Sequence, residues 1–249
     1  YTIEREFTAT DDCGNATSAT QTITIIDTTA PVFTFVPADY TAECSDDHPM
    51  DAASATDNCG EVTIDVVETT IAGACAGDYT IEREFTATDD CGNATSATQT
   101  ITIIDTTSPV LTIPADYTAE CSDDHPMEDA LVGDNCGEVT IDVVETTIAG
   151  DCAGDYTIER EFTATDDCGN ATSSTQTITI IDTTAPVLTI PADYTAECSD
   201  DHPMDDASAT DNCGEVIIEV VETTIDGLCA GNYTIERVFI ATDDCGNAS

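Results

Sequence analysis

The chain has 249 residues, with 51 Asp and Glu against 4 Lys and Arg, so its formal charge is −47 at pH 7. A chain so short of cations has nothing with which to displace counterions from phosphates, which excludes nucleic acid and anionic membrane surfaces as partners. No apolar run reaches the ~18 residues that a membrane helix needs, hydrophobic residues at 41% are too many for a disordered acidic tail, and 13 cysteines imply an oxidising, extracytoplasmic compartment.

The string Tyr-Thr-Ile-Glu-Arg begins at Tyr1, Tyr79, Tyr156 and Tyr233, a period of about 77 residues that marks a tandem repeat. The natural frame runs between the Asp-Thr-Thr-(Ala/Ser)-Pro segments at Asp27, Asp105 and Asp182. It gives the C-terminal hairpin of a partial repeat at 1–26, whole repeats at 27–104 and 105–181, and a repeat at 182–249 that stops before its last strand. The expectation is a window on a longer array. Units this small bury too little surface to be robust alone, so covalent staples are expected.

Taken in order through a repeat, Val110-Leu-Thr-Ile and Asp116-Tyr-Thr-Ala-Glu read as the opening strands. The turn Asp57-Asn-Cys-Gly60 then leads into a strand with Val62, Ile64 and Val66 on one face. From Tyr79 to Thr88 the alternation is strict: Tyr79, Ile81, Arg83, Phe85 and Ala87 share one face, and Thr80, Glu82, Glu84, Thr86 and Thr88 the other. Asp-Asp-Cys-Gly-Asn makes a turn, and Ala94 to Ile104 alternates again, which closes a hairpin. About seven short strands at regular spacing, with no helical period, predict tandem immunoglobulin-like β-sandwiches of about 77 residues in an elongated array with two disulfides per domain.

The segments Asp-Thr-Thr-Ala-Pro, Thr-Asp-Asn-Cys-Gly and Ala-Thr-Asp-Asp-Cys-Gly-Asn, followed by a Thr-rich last strand, resemble the hyalin repeat (HYR) family. They look most like the acidic, cysteine-bearing version in very long surface proteins of marine Bacteroidota. The resemblance covers every repeat and implies an adhesive or structural role at the cell surface, with type IX secretion in that lineage.

Each full repeat carries four cysteines, which allow three connectivities. Cys59 and Cys91 lie in turns that share one end of such a sandwich, and Cys44 and Cys75 in loops at the other. The expected pairs are therefore Cys44–Cys75 and Cys59–Cys91, then Cys121–Cys152 and Cys136–Cys168, and Cys198–Cys229 and Cys213–Cys245. Cys13 is expected to pair upstream of residue 1. The rival reading is zinc, from Cys44 and His48 with the same spacing at Cys121/His125 and Cys198/His202.

The acidic residues have a bland role, a self-repelling and soluble surface. Their positions suggest a sharper one, because carboxylates from two repeats should meet at each linker. Asp46, Asp47, Asp105, Asp134, Asp166 and Asp167 are candidate Ca²⁺ ligands at one junction, and Asp123, Asp124, Asp182, Asp211, Asp243 and Asp244 at the next. Paired carboxylates also serve glycosidases, but aromatics are 5% and Trp is absent, so no sugar-binding cleft is expected and the chain is read as no enzyme.

Arg83, Arg160 and Arg237 read as sheet-margin arginines paired with carboxylates. In the lineage that the resemblance suggests, Thr28, Thr106 and Thr183 in the linkers are similar to O-glycosylation sites. The third repeat replaces Thr140, Glu161, Thr163 and Asp151 of the second by Ile217, Val238, Ile240 and Leu228, which suggests an apolar contact surface where polar residues stood.

These observations lead to the stalk segment of a giant extracellular filament or appendage at the cell surface. It is expected to be a homo-oligomer through lateral contacts and to reach other cells or surfaces through regions outside these residues, without inserting in a membrane. The alternatives are a solitary calcium-stiffened adhesin stalk with a distal binding tip and a calcium-dependent carbohydrate-binding module.

Overall fold

The computed structural model describes residues 1–249 and contains strands and no helix, so no helix is long and apolar enough to cross a membrane. The residues gather in two compact units, 1–107 with 135–137, and 108–134 with 138–249. The first unit opens with a hairpin of β1 (Thr2–Thr10) and β2 (Ala16–Thr24). Then come β3 (Val32–Phe35), β4 (Tyr40–Glu43), β5 (Ser54–Thr56), β6 (Val62–Ala72), β7 (Tyr79–Asp89) and β8 (Ala94–Ile104). The second unit repeats this set as β9 (Val110–Thr112), β10 (Tyr117–Glu120), β11 (Leu131–Gly133), β12 (Val139–Ala149), β13 (Tyr156–Asp166) and β14 (Ala171–Ile181). It continues with β15 (Val187–Thr189), β16 (Ser208–Thr210), β17 (Val216–Asp226) and β18 (Tyr233–Asp243).

Each full repeat is an immunoglobulin-like sandwich of six strands rather than about seven. One sheet has the order β4-β8-β7-β6, with β4 parallel to β8 and the others antiparallel, and the facing sheet is only β3 with β5. The reason is length. Three strands of 11 residues use much of a repeat, and β6 turns straight into β7, where the Gly73 amide donates to the Asp78 carbonyl at 2.8 Å. No chain is left for further strands between them.

The alternation of β7 becomes burial. Ile81, Phe85 and Ala87 are buried beside Ile101 and Ile103 of β8, whereas Glu82 and Glu84 face solvent. Each fully buried Phe or Ile contributes about 1.5–3 kcal/mol. The two-stranded sheet is too small to cover the whole inner face, and Val66, opposite Phe85, stays 39% exposed.

Arg83 covers another part of that face. It is buried rather than at the margin: Nε pairs with Glu68 at 2.9 Å, and the Nη atoms donate to the carbonyls of Pro49 and His48. Arg160 repeats the arrangement with Glu145, the Glu128 carbonyl and Gln176. In the third repeat β17 and β18 form a two-stranded sheet, and residues 190–197 are not a strand.

Candidate functional site

The cysteines are bonded across repeats, which corrects the pairing expected within them. Cys44 bonds Cys136, Cys121 bonds Cys213 and Cys152 bonds Cys245, at sequence separations of 92, 92 and 93. Cys75 and Cys168 are disulfide-bonded as well. The pairs Cys44–Cys75, Cys121–Cys152, Cys136–Cys168 and Cys213–Cys245 therefore do not form as expected. The physical cause is visible in the second unit. Between β14 and β15 lie only residues 182–186, so the turn holding Cys213 is kept against the loop after β10, with Cα atoms of Cys121 and Cys213 6.0 Å apart, as a disulfide requires. In the chain-entropy model a closed loop of this length stabilises by about 4–5 kcal/mol, against about 3–4 for the shorter loops expected.

Cys13, Cys59, Cys91, Cys198 and Cys229 are free and exposed, so Cys59–Cys91 and Cys198–Cys229 are also corrected. They stand at positions that are bonded in the other repeats. Partial desolvation by the neighbouring atoms, with the Asp27 charge nearby, pushes the thiols of Cys59 and Cys91 up from the ordinary value. Because Cys44 and Cys121 are half-cystines, they offer no thiolate, and the zinc reading at His48 and His125 falls.

The linker aspartates do meet acidic turns. In the first unit, ligand oxygens of Asp27, Asp57 and Asp89 lie within 4.8 Å of one another. In the second unit Asp182 is 6% exposed, with Asp211, Asp243 and Glu120 as the charges around it. The Asp182 Oδ1 accepts from the Thr184 amide and the Asp211 Oδ2 from the Cys213 amide at 2.8 Å. The Asp182 Oδ2 and Asp211 Oδ1 are buried and receive no hydrogen bond, and neither does the Asp57 Oδ1. Burial, reinforced by Asp211 and Asp243, raises the Asp182 carboxyl above the ordinary carboxylate value. Asp243 goes the other way. Burial pulls it up, but Asn247 and the turn amides outweigh that and hold it below the ordinary value. Asp182 and Asp211, each with a buried oxygen that receives no hydrogen bond, beside the charge of Asp243, suit a hard cation, which takes oxygen ligands.

The other candidates serve the frame. Asp46 and Asp123 accept from the amides of Glu43 and Glu120, Asp244 from the Ala153 amide and Asp167 from the Glu138 amide. Asp47 and Asp124 are exposed. Asp105 is buried, and its amide donates to Asp78. Asp166 caps its turn through the amides of Cys168 and Asn170, and Asp134 is half-buried. Glu43 and Glu120, absent from the sequence-based set, bind the amides and hydroxyls of Thr106 and Thr183. Their signal was the recurrent Tyr-Thr-Ala-Glu. Two of the three proposed sugar-bearing threonines thus have engaged hydroxyls, and Thr28 is exposed.

Ile217, Val238, Ile240 and Leu228 are exposed by 70, 56, 39 and 108%. In the register of β17 with β18, Val221 faces Val238 and Glu219 faces Ile240, so Ile217, Val221, Val238 and Ile240 form one patch on the outward side.

No protein-family model and no curated protein matches the chain. Among solved structures it is similar to extracellular cadherin domains 1–4 of protocadherin gamma B7 (15% identity, TM-score 0.36, covering 99% of this chain and 76% of that one). It is also similar to the protocadherin gamma B4 extracellular domain (13%, 0.32, 100% and 54%) and to domains EC1–4 of Drosophila N-cadherin (14%, 0.29, 99% and 74%). The chain thus spans about half of the gamma B4 structure. Likenesses of this strength carry no argument about function.

Proposed function

We propose that residues 1–249 are a structural segment of an extracellular stalk or filament at a cell surface, built from immunoglobulin-like repeats at 27–104, 105–181 and 182–249 behind a partial one. The observation that carries this reading is the bonding pattern: Cys44–Cys136 and Cys121–Cys213 use the same two positions of successive repeats at the same separation. A scheme that joins one repeat to the next is a scheme for extending an array, and it needs the oxidising compartment that the cysteine content already implies. Cys59 with Cys91, and Cys198 with Cys229, offer the same chemistry to further repeats. The hyalin-repeat resemblance supports a surface protein of this type.

Calcium fits the second role of the junction. Asp182, Asp211 and Asp243 would hold it, and the ion would neutralise a cluster that repels itself. The outward patch on β17 and β18 favours a multi-chain filament over a solitary stalk, because chains this acidic repel one another unless apolar seams or cations join them.

The test is immunogold labelling of intact cells with an antibody to this segment, together with mass per length of any labelled appendage. Label recurring along a surface appendage supports the reading, and an integer multiple of one chain supports the filament. Label confined to the cell interior overturns both.

A further inference from the structure

Cys136 stands just before β12 and Cys152 just after it, and their sulfurs are bonded to Cys44 and Cys245. A covalent route therefore runs from Cys44 across one disulfide, along β12, and across another to Cys245. It passes over about 200 residues of sequence in about 16 backbone steps. β12 is an 11-residue strand, already extended, so this route holds almost no slack. Cys121–Cys213 supplies a second route, back from Cys136 through about 15 residues.

We propose that these cystines form a tension bypass. A pull along the chain is carried by disulfides and extended strands, and a repeat whose packing fails cannot release its hidden length. A 77-residue unit without such bonds lengthens on unfolding from about 40 Å to about 260 Å. With the route closed, the gain per repeat is on the order of 10 Å. The use of this device rests on the stalk reading, whereas its existence does not.

Single-molecule stretching of the full chain tests it, with handles at Tyr1 and Ser249 and the free thiols alkylated. The shortest covalent route between the ends is about 63 residues when oxidised and about 250 when reduced, so the limiting length should rise from about 220 Å to about 870 Å, roughly fourfold. The combined change Cys121→Ser and Cys152→Ser opens both routes into the third repeat and should lengthen the oxidised chain about 2.5-fold. That limit is reached whether or not the variant folds. An oxidised chain that reaches the reduced length, or a variant that leaves the limit unchanged, overturns the proposal. If the lengths behave as stated but labelling finds no surface appendage, the stalk reading fails and the bypass stands.

Discussion

Asp182 and Asp243 are near neighbours whose carboxyls are driven in opposite directions, and the difference lies in their partners. Asp243 is wrapped by Asn247 and turn amides, so it contributes stability above the ordinary carboxylate pKa, and that contribution is lost as pH falls through its lowered value. Asp182 is raised, so without a cation its ionised form costs stability, and the cost appears as pH rises from the ordinary value through the raised one. A bound cation reverses the sign for Asp182. Asp182→Asn should therefore raise the melting temperature by about 2–4 °C in chelator and lower it by a similar amount in millimolar calcium. Parallel shifts in both buffers would remove the cation from the junction. Arg160 is a separate case, buried itself and held by two acceptors, the Glu128 carbonyl and the Gln176 Oε1, on one Nη atom. Arg160→Lys keeps the charge but loses the fork, and should cost about 1–3 kcal/mol in denaturant unfolding of the oxidised chain. The sequence placed this arginine on the inner face correctly. It did not reveal the burial, because the loop that covers Arg83 and Arg160 comes from more than thirty residues upstream.

At the level of strands, period-2 alternation located the opening strands and the long hairpins, since a strand with one wet face writes that face into its sequence. What alternation could not give was the number of strands, because β5 and β11 are only three residues long. It also could not give the sulfur pairing. Two cysteines that belong to adjacent repeats look the same in sequence as two that belong to one repeat, and only the short linker decides between them. The outward patch of β17 and β18 was legible because neighbouring copies supply its control. If it is a lateral seam, Ile217→Thr with Ile240→Thr should weaken self-association of the chain by about tenfold or more in sedimentation equilibrium. Equal association of the variant and the parent would assign the patch to drift.

Across the whole molecule, a charge of −47 works against compactness at low ionic strength, and the cystines oppose it with bonds that salt cannot screen. The loops Cys44–Cys136, Cys121–Cys213 and Cys152–Cys245 overlap in sequence, so every peptide bond from Cys44 to Cys245 lies inside at least one ring. A protease that cuts once in that range opens a ring without parting the molecule. Oxidised protein nicked once between Cys44 and Cys245 should run as one full-length species on a non-reducing gel and fall into fragments only with reductant, and separation of such a nicked chain without reductant would contradict the ring topology. A chain linked this way is damage-tolerant: proteases can score it repeatedly between Cys44 and Cys245, one cut to a ring, and still leave it in one piece.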